Sequence, residues 1–323
     1  NGASTVRIVR IEDGAAAVAT LNLLYSATPE IQINAYYKGE YGNNISVTVT
    51  ANAQNAALRD IKITDGVTTE LYIALATNAD AVTAINASST LVIATKLANT
   101  LIDAATAAPL TGGLSGESVS GGDYITGMTY LETEDVNFVN LAGQDDDGLM
   151  NSLLAHCQNM AAVQRERVGI GGSEASETVA TILTRTTHGD DGRFILVAPG
   201  VTVIDTVTGA EVSRSGGFAA AAVCGLLSSL DVQVSATNKT IAGITGLETV
   251  YSDAELKDLI TGHVLALKSK NGLRVTKAIT TSTITAWSQI TTVRIVDYIK
   301  AGVYADGDQF IGLLNNPRVR SAL

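Results

Sequence analysis

The sequence predicts an α/β core, with a mainly parallel or mixed sheet flanked by helices, and an inserted β-rich domain. From residue 31 to about residue 75, apolar and polar residues alternate, as in strands that bury one face. From residue 124 onward, short apolar runs alternate with helical patterns, which is typical of βαβ units. A stretch rich in Gly and Ser over residues 110–123 separates the two patterns. We therefore assign residues 1–36 plus 121–323 to the α/β core and residues 37–120 to the insertion.

Length and composition set the broad class. The chain has 323 residues, of which 46% are apolar and 16% charged, which is enough apolar content for two or three packed domains and too much for disorder. The net charge of −11 disfavours binding to nucleic acid or to anionic membrane surfaces. No run approaches the ~20 apolar residues that span a bilayer. We therefore expect neither nucleic acid nor direct membrane insertion among its partners.

The first third of the chain predicts mostly strands. Residues 6–11 alternate as a strand does, and the alanine-rich stretch over residues 15–24 favours a helix. Alternation then runs through residues 31–35 and 45–49. Asp65-Gly66 is a strong hairpin signal between two further strands. A short helix is predicted over residues 80–86.

The remainder predicts helices and strands in alternation. The helix over residues 218–230 is apolar nearly all round and should be buried, and Ser252 with Glu255 forms a capping box that opens the next helix. The predicted elements are a helix over 124–131, strand 136–141, helix 149–160, strand 168–170, helix 175–184, strand 194–198, helix 218–230, helix 253–260, strands 264–267 and 273–275, and a long helix over 290–303.

No residue pattern predicts a reaction or a bound metal or cofactor. The three histidines are scattered, at positions 156, 188 and 263. The carboxylate run of residues 145–147 precedes a helix, where it would cap the N-terminus rather than hold a cation. Residues 169–172 read Gly-Ile-Gly-Gly and match half of a dinucleotide-binding loop, without its third glycine. Cys157 and Cys224 lie in apolar helical contexts and are expected to be buried free thiols.

A segment near the first domain boundary carries a family resemblance. Residues 33–47 read Ile-Asn-Ala-Tyr-Tyr-Lys-Gly-Glu-Tyr-Gly-Asn-Asn-Ile-Ser-Val. This resembles a motif of contractile phage tail sheath proteins, in which a Pro-Gly-type turn, an aromatic residue and Gly-Asn precede a strand; here Lys38-Gly39 replaces Pro-Gly. We expect positive φ at Gly39, Gly42 and Asn43.

Further stretches resemble the same family in the same order along the chain. They are residues 1–10, 196–200, 217–231, 278–299 and 310–323. The resemblance implies a structural subunit, not an enzyme, that polymerises into a helical sheath around a tail tube. It also implies contraction that drives the tube through the host cell envelope.

The resemblance carries further expectations about partners and place. The partners would be copies of the chain itself, the tail tube protein, and the baseplate and tail terminator proteins, with no cofactor. The subunit would belong to the virion tail sheath and be assembled in the bacterial host cytoplasm. The family places its C-terminal helical region toward the tube, which would make Arg318 and Arg320 possible tube-facing or inter-subunit contacts. Phage, prophage and phage-tail-like bacteriocin remain open alternatives.

Two other readings of the residues stay open. The first is a cytoplasmic α/β enzyme whose site is assembled from distant residues near positions 170–173. The second is a surface adhesion module based on residues 37–120. The sheath resemblance also predicts arms beyond both ends of the sequence, so we expect this piece alone to be monomeric.

Overall fold

The structure is a computed structural model, which describes residues 5–185, 190–206 and 208–307. The chain divides into two compact units. The β-rich unit is Arg10–Asp123, and the core unit is Asn1–Val9 with Tyr124–Leu323. Residues 10–36, which the sequence analysis assigned to the core, thus lie in the β-rich unit. The reason is packing, because Leu23, Ile31 and Ile33 belong to the same buried cluster as the strands of that unit.

The β-rich unit is built from two antiparallel sheets. Its elements are β1 (Thr20–Tyr25), β2 (Thr28–Ala35), a 3₁₀ helix (Glu40–Asn44), β3 (Ser46–Ala51), β4 (Arg59–Thr64), β5 (Thr69–Leu75), α1 (Asn78–Ser88), β6 (Val92–Lys96) and β7 (Ala105–Pro109). The strand orders are β1-β2-β6 and β5-β4-β3-β7. Val47 lies opposite Ile63, and Val49 opposite Ile61, which puts the alternating apolar residues on one buried face. The Asp65-Gly66 hairpin joins β4 to β5 as predicted.

Two predictions for the first residues were wrong. The alanine-rich stretch over residues 15–24 contributes strand β1, because pairing with β2 and burial of Ala19 and Leu23 outweigh the helical preference of alanine. Residues 6–11 form no strand, and Val6 and Ile8 are exposed. Alternation alone therefore does not supply a pairing partner.

The core unit contains the predicted helices and strands in the predicted order, together with short strands over residues 201–204, 211–214 and 246–247 that were not predicted. Its elements are α2 (Gly121–Thr129), β8 (Phe138–Asn140), α3 (Asp147–Ala162), β9 (Val168–Gly172), α4 (Val179–Arg185), β10 (Phe194–Ala198), β11 (Val201–Ile204), β12 (Glu211–Arg214), α5 (Gly216–Ser229), β13 (Gly246–Leu247), α6 (Asp253–Thr261), β14 (Leu265–Ser269), β15 (Leu273–Val275) and α7 (Ile290–Gly307). The main sheet has the order β15-β14-β10-β9-β8. Strands β8, β9, β10 and β14 are parallel, and β15 is antiparallel.

Helices cover both faces of this sheet. Every residue of β10 is buried. Ile195 and Val197 pack in one cluster with α5 and the start of α7. Phe194 and Leu196 point the other way, into a cluster with α3, α4 and α6. This two-sided burial explains why β10 reads as a continuous apolar run rather than as an alternating one. Among the described residues, no helix has the length and apolar character needed to cross a bilayer.

Candidate functional site

The Gly-Ile-Gly-Gly stretch is part of a sheet strand rather than a phosphate-binding loop. Strand β9 continues through Gly172, where the dinucleotide reading would need a turn. A Cβ atom on Gly171 would lie 2.1 Å from the Met150 sulfur of α3. A Cβ atom on Gly172 would lie 1.9 Å from the Gly216 backbone of α5. The glycines therefore let helices approach β9 closely, and the half-motif has no nucleotide-binding geometry.

The stretch of residues 170–173, where the alternative enzyme site was expected, is covered by the start of α5. Ser173 is buried, and its backbone N–H donates to the Val197 carbonyl at 3.0 Å. Its carbonyl accepts from the Gly216 N–H at 2.8 Å. In α/β enzymes the carboxyl ends of parallel strands open into a crevice. Here the first turn of α5 fills that position beside β9.

The carboxylates nearest this strand end converge on one buried arginine. The Arg185 side chain, which is 6% exposed, pairs with Glu177 at 2.7 Å and with Asp147 at 2.6 Å. It also pairs with Glu174. Burial disfavours the charge, but the hydrogen bonds that Arg185 donates to Glu177 and Glu174 prevail and raise the pKa of Arg185. The cluster thus ties α4 to the loop before it and to α3.

The carboxylate run before α3 acts as the predicted helix cap. Asp146 is the N-cap residue, and its side chain accepts a hydrogen bond from the Leu149 N–H at 2.9 Å. Such a cap satisfies one of the free N–H groups of the first turn. Within residues 5–185, 190–206 and 208–307, no three side chains of His, Cys, Asp or Glu come together in a metal-binding group. His188 lies outside the described residues.

Both thiols are free and sit within the core unit. Cys157 is buried, and burial raises its pKa to about 12. Cys224 is partly buried, and burial raises its pKa to about 11. A thiol with such a pKa is almost wholly protonated at neutral pH and is a poor nucleophile.

A buried arginine in the core unit is a feature that the sequence analysis missed. Arg167 is 1% exposed, and its guanidinium donates to the Leu131 carbonyl at 2.9 Å and to the Glu134 carbonyl at 3.2 Å. Its Nη1 also lies 3.2 Å from His156 Nε2. Arginine can only donate, so Nε2 must accept and the imidazole is neutral. The cluster joins the chain before β8 to α3 and β9.

The His156 contact predicts a pH dependence of stability. Burial first, and the Arg167 charge second, lower the pKa of His156 below its ordinary value of 6.5. In the unfolded chain His156 becomes protonated near pH 6.5, whereas in the folded chain it stays neutral to lower pH. The free energy of unfolding therefore falls as the pH drops below about 6.5. Urea unfolding at several pH values should show this fall, and His156→Gln should reduce its slope. Equal slopes in both proteins would contradict the assignment.

The motif of residues 33–47 has a different geometry from the one expected. Only Gly39 of the three turn residues has a positive φ, of 135°. Gly42 is a glycine because a Cβ there would lie 2.8 Å from the Cβ atoms of Ala19 and Ala35. Asn43 serves through its side chain, which exchanges two hydrogen bonds of 2.9 Å with the Gly113 backbone. The motif therefore packs against β2 and the residues before β1 and is hydrogen-bonded to residue 113, all within the β-rich unit.

An open groove of the β-rich unit lies beside this motif, lined by residues that include Arg10, Lys38 and Tyr41. The cations at the groove are already engaged. Arg10 donates to the carbonyls of Lys38 and Ser115, each at 2.8 Å. The Lys38 ammonium pairs with Glu12 at 2.8 Å. Both cations are thus bonded within the β-rich unit, so these contacts do not support the hypothesis of a surface adhesion module.

Of the two predictions for the C-terminal region, the one for the Arg294–Asp297 pair is wrong, and the one for Arg318 and Arg320 concerns residues outside the described range. Spacing predicts an intrahelical pair between Arg294 and Asp297. Instead, Arg294 donates to the Leu230 carbonyl at 2.7 Å, and Asp297 pairs with Arg193. Burial prevails over Arg193 in raising the pKa of Asp297. The proposed contacts Arg318 and Arg320 lie outside the described residues.

Comparison with protein families gives a match over just over half of the chain. The sequence model of the phage tail sheath protein central domain matches residues 117–281. This range includes Arg167, Gly171, Gly172, Arg185 and Gly216 of the core unit. No curated protein sequence matches the chain.

Solved structures match over a longer range. The sheath tail protein from Desulfitobacterium hafniense has a TM-score of 0.74 and 18% identity, over 96% of this chain and 69% of that one. The sheath tail protein from Listeria innocua has a TM-score of 0.73 and 16% identity, over 97% and 69% of the two chains. A contracted PVC sheath complex of an extracellular contractile injection system reaches a TM-score of 0.50 at 16% identity, over 60% of this chain and 55% of that one. At these identities the likeness concerns the fold.

Proposed function

The chain belongs to the phage tail sheath protein family, and we propose on that premise that it is a subunit of a contractile sheath. In this proposal copies of the chain polymerise around a tail tube, and contraction of the assembly drives the tube through the host cell envelope. The observation that carries the proposal is the family match over residues 117–281. The family is one of structural proteins, so the proposed role is mechanical rather than catalytic.

The packing of the core unit supports a mechanical role. Both faces of the main sheet are covered by helices. The first turn of α5 packs directly on the end of β9, and three carboxylates around Arg185 are used in ion pairs. A rigid, internally paired unit can transmit force between neighbours without rearranging, since packed cores are not continuously deformable.

The proposed partners follow from the proposed assembly. They are further copies of the chain, the tail tube protein, the baseplate and the tail terminator. The subunit would be part of a virion tail or of a related phage-tail-like particle and would assemble in the bacterial cytoplasm. The solved relatives include a sheath complex in a contracted state, which supports a subunit able to occupy such a lattice.

Electron microscopy of the protein expressed from its complete reading frame tests the proposal. We expect tubes with a lumen wide enough for an inner tube. Co-expression with the tail tube protein from the same genome should give a second, longer and narrower form. Particles that stay discrete in both preparations would contradict the proposed function.

Charge reversal tests the proposed contact of Arg318 and Arg320 with the tube. Arg318→Glu with Arg320→Glu should weaken co-sedimentation of the assembled sheath with tail tubes by roughly tenfold, because like-charge contacts replace complementary ones. A matched control reverses two exposed lysines, Lys257 and Lys270, to Glu and should leave co-sedimentation unchanged. Equal loss in both double variants would indicate a nonspecific effect of net charge and would contradict the contact.

A further inference from the structure

One side of the core unit carries positive charge without any acidic residue in the same segments. Residues 232–247 and 259–296 contain no Asp or Glu, although the chain has 32 of them. Lys239 and Lys277 are exposed in these two segments, and neither forms an ion pair with any residue that the structure describes. Two uncompensated cations on a protein of net charge −11 are a local exception to its overall field.

Both lysines lie on the outer edge of the main sheet, beyond β14. The Val275 N–H of β15 donates to the Lys239 carbonyl at 3.1 Å, so the segment that carries Lys239 lies along the side of β15 that faces away from β14. Lys277 follows β15 by two residues, and the next N–H, of Ala278, donates to Thr237 Oγ1 at 3.0 Å. We call this side of the sheet, with its two lysines, the basic edge.

The opposite edge of the same sheet is acidic. The loop before β8, the last strand on that side, contains Glu132, Glu134 and Asp135. Glu134 pairs with Arg7 at 2.8 Å, whereas Glu132 and Asp135 are exposed and form no ion pair among the described residues. The buried Arg167 fixes the loop from inside by donating to two of its carbonyls. We call this loop the acidic edge.

We propose that the two edges form one contact between copies of the chain, with Lys239 and Lys277 of one copy against Glu132 and Asp135 of the next. Charge complementarity selects the partner, because each copy carries the surface that the basic edge of its neighbour requires. The two edges cannot meet within one chain, since five strands at ~4.8 Å each hold them at least ~19 Å apart. The inference rests on the proposed function, for which it names a surface where copies meet.

The geometry of the contact suits an open assembly. It joins two different surfaces head to tail, so it repeats from copy to copy. The strand registers also displace the two edges along the strands. Lys277 is level with Leu265 of β14, and Leu265 is level with Val197 and Gly172, whereas β8 begins opposite Val168. The basic edge thus lies about four residues, or ~13 Å, beyond the start of β8, and a displacement at each step favours a helical array over a flat ring.

Charge reversal at each edge, in the protein expressed from its complete reading frame, tests the contact. Lys239→Glu with Lys277→Glu, and separately Glu132→Lys with Asp135→Lys, should each reduce the fraction of protein in sedimenting tubes by roughly tenfold, because like charges then face each other. An equimolar mixture of the two double variants should form tubes again. In the mixture every contact joins an acidic edge to a basic one, which neither variant can do alone.

A matched control separates this pairing from an effect of net charge. Lys257→Glu with Lys270→Glu makes the same change in charge at exposed positions outside the contact and should leave tube formation unchanged. Reversed variants that each form tubes as the unmodified protein does would overturn the inference and leave the proposed function standing. Variants that fail alone and in the mixture would overturn it as well.

Sedimentation velocity decides the contact even where the unmodified protein forms no tubes, a result that would contradict the proposed function. The mixture of the two double variants should then contain a faster species that is absent from either variant alone. That species should disappear at high salt, because ions screen contacts between exposed charges. A mixture that sediments as the sum of its two components would overturn the inference.

Discussion

Gly172→Ala should abolish folding of the core unit or cost ~4 kcal/mol or more of its free energy of unfolding. The added Cβ would lie 1.9 Å from both the carbonyl carbon and the carbonyl oxygen of Gly216, and 2.4 Å from the Gly217 nitrogen. These are backbone atoms of the first turn of α5, so no side chain can rotate away to make room. Overpacking of cores costs about 1–3 kcal/mol where side chains can adjust. Displacing a helix from the sheet should exceed that range.

Urea unfolding followed by far-UV circular dichroism measures this effect. Gly302→Ala is the matched control, because its Cβ would meet nothing within 4 Å. It lies in α7, where alanine is preferred, and should raise stability by about 0.5–1 kcal/mol if the helix unfolds with the unit. A cost below about 1 kcal/mol for Gly172→Ala would show that α5 does not pack against β9 as closely as described.

The elements that sequence analysis predicted correctly are those with a local signature. Strand β10 is a five-residue apolar run, and helix α6 begins with a capping box in which Ser252 and Glu255 exchange hydrogen bonds. Each of these signals is contained within a few consecutive residues. Local chemistry fixes such elements wherever they lie in the fold, so no knowledge of distant partners is needed.

The predictions that were wrong depended on distant partners. Strand β1 forms from an alanine-rich stretch because β2 pairs with it in register from Thr20 opposite Asn34. Gly42 is required by Ala19 and Ala35, and Gly172 by Gly216, although nothing near either glycine in the sequence indicates a close approach. A glycine needed for packing and a glycine needed for a turn look the same in a sequence. That ambiguity is why Gly-Ile-Gly-Gly resembled half of a nucleotide-binding loop.

The candidate contact residues show the same limit in another form. Resemblance alone placed Arg318 and Arg320 at a tube-facing surface, and the prediction stays untested. Arg167 gave no usable signal, because an arginine beside an apolar strand is ordinary in a sequence. Only the structure shows that carbonyls on the chain before β8 surround its guanidinium.

Arg167→Met is the second change with a large expected effect, a loss of roughly 3 kcal/mol or more in the free energy of unfolding. Methionine matches much of the arginine's length but donates no hydrogen bonds. It would leave the Leu131 and Glu134 carbonyls without their donors, and a buried acceptor without a partner costs about 1–3 kcal/mol. Removing the nearby charge would also raise the pKa of His156 toward its ordinary value, since Arg167 is the second-ranked cause that lowers it.

That second consequence separates a role in hydrogen bonding from simple loss of volume. In Arg167→Met the dependence of stability on pH below about 6.5 should become shallower, because the folded protein accepts a proton on His156 more readily. Arg165→Met, at an exposed position two residues away, serves as the control and should change neither stability nor its pH dependence by more than ~0.5 kcal/mol. Urea unfolding of the three proteins between about pH 5 and 8 decides the matter. A destabilised Arg167→Met protein with an unaltered pH slope would mean that the arginine fills space beside His156 without acting on its charge.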